Sequence, residues 1–99
     1  MSEVLTPKQI KTLKGIAQRL NFEVRLGKEG VTEAFIKDFS VTLATKELVK
    51  VRFTGHKDEK KEISDQIADK TDSNLITRVG HVAVFYKRNP ELKDSIRLK

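Results

Sequence analysis

Apolar residues recur along this chain with two different periods, and the alternation between them lays out the elements. Ile10, Leu13, Ile16, Ala17 and Leu20 fall at three- and four-residue spacing, which places them on one face of a helix. Thr6-Pro7-Lys8-Gln9 is a strong start for it: Thr6 caps, Pro7 takes the first helical position, and Gln9 closes a capping box. The period then drops to two. In Phe22-Glu23-Val24-Arg25-Leu26 apolar and charged residues alternate, as in a strand with one buried face. A glycine turn follows, and Thr32 caps a second helix with Phe35, Ile36, Phe39 and Leu43 as its apolar stripe. Leu48 to Thr54 is predicted as strand two, with Val49, Val51 and Phe53 alternating against Lys50 and Arg52. A third helix, about Glu59 to Thr71, offers only Ile63, Ile67 and Ala68 as an apolar face and is expected to pack shallowly. Leu75–Val79 and His81–Lys87 complete the set as strands three and four, joined by a tight turn around Gly80.

The order is αβαβαββ. Strand–helix–strand connections imply parallel pairing with right-handed crossovers, and the last turn adds an antiparallel pair. The fold class is therefore α/β in its α+β sandwich form, a four-stranded mixed sheet packed by helices. The final strand, Val82-Ala83-Val84-Phe85-Tyr86, is apolar throughout and calls for a well-buried position. Tyr86 fits a core or edge role better than a stacking one. Alternation in strands one and two predicts one covered sheet face and one partly exposed, the latter carrying Arg25, Lys50 and Arg52. Residues 1–99 read as a single domain, with a core of about 5–88 and a loose basic tail, 89–99, that includes Lys93, Arg97 and Lys99. There is no internal repeat and no interior linker.

Charge changes the picture more than composition does. The formal net charge is +6, yet residues 58–72 hold six acids against three lysines, so that segment carries −3 and the rest of the chain +9. Such sorting favours a polyanion-binding surface with an acidic element held away from it. Lys8, Lys11, Lys14 and Arg19 lie on the first helix opposite its apolar stripe. They form either a solvated basic face or a phosphate-contacting one. No apolar run approaches the ~20 residues that span a bilayer, and Met1-Ser2-Glu3-Val4-Leu5 lacks a signal-peptide pattern. With no cysteine there is neither a disulfide framework nor a thiolate metal site, which is compatible with a reducing cytosol.

Gly27-Lys28-Glu29-Gly30 is the segment with the clearest chemistry. Placed between a strand and a capped helix, it directs backbone N–H groups and the positive end of a helix dipole outward beside a lysine, an arrangement suited to a phosphate. The plain alternative is a turn whose glycines permit positive φ. Glu29 opposes a phosphate; it points away, or bonds a ribose hydroxyl or a basic neighbour. A comparable Gly-x-x-Gly loop clamps backbone nucleotides in KH domains, where it joins two helices, so that likeness is one of local chemistry.

Enzymatic chemistry finds no support in the sequence. The two histidines, His56 and His81, sit at a strand end and a turn without metal-ligand spacing and read as ordinary surface residues. Paired carboxylates at strand ends, a Gly-x-Ser-x-Gly elbow and the Gly-x-x-x-x-Gly-Lys-Ser/Thr loop of nucleotide hydrolases are all missing from it. No cofactor, metal or small-molecule substrate is expected.

Taken in register, Leu5-Thr6-x-x-Gln9-x-x-x-Leu13-Lys14-x-x-Ala17-x-x-Leu20, Leu26-Gly27-Lys28-x-Gly30-Val31-Thr32-Glu33, Glu47-Leu48-Val49-Lys50-Val51 and Gly80-His81-Val82-Ala83-Val84-Phe85-Tyr86-Lys87-Arg88 closely resemble the YhbY-like CRM domain (chloroplast RNA splicing and ribosome maturation). The resemblance covers roughly residues 5–88. It implies an RNA-binding module whose core is similar to the C-terminal domain of bacterial translation initiation factor three. A single copy implies a cytoplasmic protein associated through rRNA with precursors of the large (50S) ribosomal subunit. The family's glycine loop is taken to contact RNA, a role that carries over to Gly27, Lys28 and Gly30. Phe22 stands where the family commonly has proline, so strand one either starts differently or gains a core or exposed ring there.

The resulting expectation is a monomeric, non-catalytic protein that binds structured RNA. Lys28 and the loop backbone hold one phosphate, while Lys8, Lys11, Lys14, Arg19, Arg25, Lys50 and Arg52 extend the track and Lys87 and Arg88 close it. A protein-binding module that docks on a ribosomal protein or assembly factor through the acidic third helix is the alternative.

Overall fold

The computed structural model describes residues 4–21, 23–92 and 95–96; Phe22, Lys93, Arg97 and Lys99 lie outside the described residues. The elements run α1 (Pro7–Gln18), β1 (Glu23–Leu26), α2 (Glu33–Lys46), β2 (Leu48–Phe53), a 3-10 turn (Lys57–Glu59), α3 (Lys60–Thr71), β3 (Asn74–Val79) and β4 (Val82–Tyr86). Three helices and a four-stranded mixed sheet form the expected α+β architecture, with strand order β1-β2-β4-β3.

Local chemistry sets the helix starts. Thr6 Oγ1 accepts from the Gln9 N–H at 3.1 Å while Gln9 Oε1 accepts from the Thr6 N–H at 2.9 Å, a complete capping box ahead of Pro7. Thr32 Oγ1 accepts from the Phe35 N–H at 3.0 Å and opens α2 in the same manner.

The sheet departs from the expected pairing in one respect. β1 and β2 pair in parallel, with Val24 opposite Val51 and Leu26 opposite Phe53. β2 and β3 run parallel as well but do not touch, because β4 lies between them, antiparallel to both. The tight turn at Gly80 (φ +59°) returns the chain at once, and β4, apolar toward both faces, takes the central position its sequence demands. β3 has a bulge between Leu75 and Thr77. The extra residue leaves both Ile76 and Thr77 on the Val84 side, Thr77 now standing opposite Val84, whereas Leu75 packs to the other side with Phe85.

One face of the sheet is fully covered and the other only in part, by α1, as the alternation in β1 and β2 predicts. Leu26, Val49, Val51, Phe53, Ala83 and Phe85 meet Phe39 and Leu43 of α2 and Ile63 and Ile67 of α3. Phe39 sits edge-on to Phe85 with ring centres 5.4 Å apart. On the opposite face Leu48, Ile76, Val84 and Tyr86 pack under Leu13 and Ala17 of α1. Exposure rises along that face of β2: Leu48 is buried, Lys50 half-buried and Arg52 exposed, since α1 covers only part of the strand.

Two further expectations change. α3 is not shallow, because Ser64 and Thr71 join Ile63 and Ile67 in its buried face, Thr71 returning its hydroxyl to the Ile67 carbonyl at 2.6 Å. The described part of the C-terminal segment is not loose. Glu47, buried between α2 and β2, accepts from the Asn89 N–H (2.8 Å), the Ser95 hydroxyl (2.7 Å) and the Ile96 N–H (2.6 Å). Ile96 packs against the α1 cluster.

Candidate nucleic-acid interface

The Gly27–Gly30 segment leaves the C-terminal end of β1, and the exit of β2 holds it from beneath. The Leu26 carbonyl accepts from the Thr54 N–H (2.9 Å), the Thr54 hydroxyl (3.2 Å) and the Gly55 N–H (3.3 Å). Gly30 N–H closes the turn on the Gly27 carbonyl at 3.1 Å, with Gly30 at φ +70°. Gly55 is pressed against the loop so closely that a Cβ there would lie 3.0 Å from the Lys28 nitrogen and 3.1 Å from the Gly27 carbonyl carbon. The tetrapeptide is therefore one half of a two-layer turn, and Thr54-Gly55-His56 is the other.

His56 completes the clamp. Its backbone is left-handed (φ +53°, ψ +37°), a conformation histidine tolerates better than most side chains. The ring is thereby turned onto the loop, where Nε2 lies 2.6 Å from the Lys28 carbonyl oxygen and Nδ1 3.4 Å from Glu59 Oε1. Hydrogen bonding to that carbonyl, and secondarily to Glu59, raises the imidazole above its ordinary 6.5. The reading of His56 as an ordinary surface residue is thus corrected. Its signal in the sequence was no ligand motif, only a position directly after Gly55 at the strand end. The acidic segment is corrected with it: its first residues reach the loop through Glu59 and His56 and are not held away from it.

Gly27, Lys28 and Glu29 are exposed at the surface of this turn, and helix α2 begins three residues beyond Gly30. Amides of the first helical turn have no partner within the helix, so the positive end of α2 opens beside the loop. A recess of about 360 Å³ adjoins it, lined by Val31, Thr32, Glu33, Ile36, Lys37 and Lys70. Lys37 and Lys70 were not singled out by the sequence, because neither belongs to a motif and they come together only in space.

The other nominated cations fall into three groups. Lys8, Lys11, Lys14 and Arg19 are all exposed on or at the end of α1. Lys14 shares a groove of about 390 Å³ with Ala17, Gln18, Lys50, Thr77, Val79, Val82 and Val84, between α1 and the open part of the sheet. Lys50 is half-buried there and donates to the Leu20 carbonyl at 2.8 Å. Arg25 and Arg52 stand opposite one another on β1 and β2, on this same face. Arg52 Nε binds Glu23 Oε1 at 2.6 Å, which holds the Glu23 carboxyl below its ordinary value. Lys87 and Arg88 are the outliers. β4 starts beside Arg52 and ends beside Leu48, so they emerge at the far end of the sheet from the loop. Lys87 Nζ donates to the Thr71 carbonyl at 3.0 Å. The structure therefore groups the loop with the β1–β2 arginines and the Lys14–Lys50 groove, and sets Lys87 and Arg88 apart.

Fold and site together define a class: a small α+β domain with a strand–Gly-x-x-Gly–helix loop at one end of a mixed sheet and a basic helix across one face. The chain belongs to the CRS1 / YhbY (CRM) domain family, whose model matches residues 5–87. It is 36% identical over 90 residues to an RNA-binding protein of Haemophilus influenzae, covering 90% of this chain and 91% of that one. It is 30% identical over 91 residues to the Bacillus subtilis protein named "Probable RNA-binding protein YqeI", covering 91% and 95% of the two chains. The solution structure of the Staphylococcus aureus protein SAV1595 superposes with a TM-score of 0.77 at 32% identity, over 94% of this chain and 98% of that one. Among the described residues no group of three or more histidine, aspartate or glutamate side chains could hold a metal ion, and no helix is long and apolar enough to cross a membrane.

Proposed function

We propose that this protein binds structured RNA without catalysing a reaction, and that its target is rRNA in the cytoplasmic precursor of the large (50S) ribosomal subunit. The observation that carries the reading is the clamped loop. Lys28 is exposed on a backbone fixed from below by Leu26, Gly55 and His56, beside the start of α2. Holding the turn in advance lowers the ordering cost of gripping a phosphate. Family membership and relatives named as RNA-binding proteins support RNA as the polyanion.

Affinity comes mainly from charge. Lys28 and the backbone of Gly27 and Gly30 position one phosphate, and Arg25, Arg52, Lys14 and the remaining α1 cations extend the field over the neighbouring face. Among the described residues Val79 is the large apolar side chain most open to solvent near the groove, at 70% exposure, and none of those lining it is aromatic. Recognition accordingly rests on RNA shape and backbone more than on stacked bases.

Sucrose-gradient sedimentation of cell extract followed by RNA crosslink mapping tests this. Cofractionation with large-subunit precursors, with crosslinks from the 27–30 loop to one rRNA helix, is the expected result. Protein confined to the top of the gradient refutes the ribosomal assignment. Ribosome association that survives RNA-blind loop variants but fails on charge reversal along α3 would instead establish a protein-docking module.

A further inference from the structure

We propose that His56 is a proton-linked positioning residue for the Gly27–Gly30 loop, so that binding an RNA phosphate there is coupled to uptake of one proton on the His56 imidazole. The inference rests on the RNA-binding reading and adds a regulation of the same site.

The geometry dictates which hydrogens the ring carries. The Lys28 carbonyl can only accept, so Nε2, 2.6 Å away, holds a hydrogen and donates it. Nδ1 faces a carboxylate oxygen of Glu59 at 3.4 Å, which also can only accept. In the neutral ring the Nδ1 lone pair opposes that oxygen; in the imidazolium both nitrogens donate. These contacts favour the charged ring over the neutral one. Gly30 leaves room for it: a Cβ on Gly30 would stand 3.4 Å from Nε2.

Charged residues on the elements packed against the ring are Lys57, Asp58 and Glu59 of the 3-10 turn, Lys60 at the start of α3, and Lys28 and Glu29 of the loop. Lys60 is directed elsewhere, donating to the Gly80 carbonyl near His81. Glu59 makes the direct contact, and the ring is one-third exposed, so it exchanges protons freely with solvent. A phosphate gripped by the loop places a second anion beside the imidazolium, in the field of the same ring that fixes the Lys28 peptide. That anion favours the protonated form further, and by linkage protonation favours the anion equally.

The sign follows. His56 is already raised above 6.5 in the free protein, and bound phosphate raises it again. Affinity is therefore highest and flat below the free-protein value, falls as pH rises between the free and bound values, and is flat again above. A bound-state rise of about one unit gives roughly a tenfold total change. His81, the other histidine, lies on the β3–β4 turn and is the internal control.

The test is fluorescence anisotropy of the full chain with a hairpin-containing fragment of large-subunit rRNA from pH 5.5 to 8.5, paired with an NMR titration of the two histidine rings. Wild type and His81→Gln should lose several-fold affinity across the range, whereas His56→Gln, its fold checked by circular dichroism, should be nearly flat. In wild type the His56 ring should titrate at higher pH with RNA than without, and the Lys28 and Gly30 amides should shift with the same midpoint. The NMR arm needs no variant and so stands even if His56→Gln unfolds. An RNA-independent His56 midpoint, or a pH profile unchanged by His56→Gln, overturns the proton linkage while leaving RNA binding in place. Absence of RNA binding at every pH overturns both readings.

Discussion

The buried carboxylate of Glu47 accepts a hydrogen bond from the Ile96 N–H at 2.6 Å, across 49 residues of chain. With the bonds from Asn89 and Ser95 it serves three donors, and its own carbonyl accepts from Lys87 N–H at 2.8 Å. Glu47 is also strained, at φ +63°. Glu47→Ala strands those donors and frees the segment after Asn89, a loss of about 1–3 kcal/mol by the cost of unsatisfied buried groups. Glu47→Gly loses the same bonds but relieves the backbone by about 1 kcal/mol, so it should be the milder variant. Urea denaturation ranks the two, and the reverse order would show that the backbone is not strained there.

Gly55 and Gly27 face one another across the two-layer turn, yet only one of them needs to be glycine. A Cβ on Gly27 would meet nothing nearer than Thr54 Oγ1 at 3.7 Å, an ordinary contact. On Gly55 it would meet the loop backbone at 3.0–3.1 Å, which cannot swing away as a side chain can. Gly27→Ala should leave stability nearly unchanged, whereas Gly55→Ala should cost roughly 1–3 kcal/mol by overpacking and displace the loop. Thermal melts and amide shifts of residues 27–30 decide it. A silent Gly55→Ala would refute the clamp.

Much of this fold is legible in the sequence because local signals agree with it. The Thr6 and Thr32 caps, the alternation in β2 and the apolar run of β4 each name an element and its burial. Insertion of β4 between β2 and β3 was not legible, since a strand–helix–strand unit fixes direction but not adjacency. Nor was the cover that α1 gives the second face: Lys50 looks exposed by alternation, but its aliphatic stem lies beside α1 with Nζ on the Leu20 carbonyl. At the site, Gly27–Gly30 stood out through its glycines and lysine. The roles of Gly55 and His56 depend on contacts 28 residues distant, which no periodicity carries.

Lys28 is the loop's exposed cation, and removing it tests the phosphate directly. Each phosphate contact to single-stranded or duplex nucleic acid contributes about 0.7–0.9 to the slope of log affinity against log salt. Lys28→Ala should weaken binding of the rRNA fragment and lower the slope by that amount. An unchanged slope removes Lys28 from the interface even if affinity falls.

Glu23 restrains the very surface its neighbours would offer to RNA. Arg25 and Arg52 lie side by side across β1 and β2, a repulsive pairing, and Glu23 engages Arg52 at 2.6 Å. Hydrogen bonding to Arg52 keeps the Glu23 carboxyl below its ordinary 4.5. A depressed carboxyl contributes stability above the unfolded value and loses it as pH falls through the folded one. Wild type should therefore lose more stability than Glu23→Gln as pH drops below about 4.5, measured by urea midpoints at successive pH values. At neutral pH the same variant removes a negative charge and releases Arg52, so it should bind the rRNA fragment more tightly and with a steeper salt dependence. Weaker or unchanged binding by Glu23→Gln would place the β1–β2 arginines outside the RNA-facing surface.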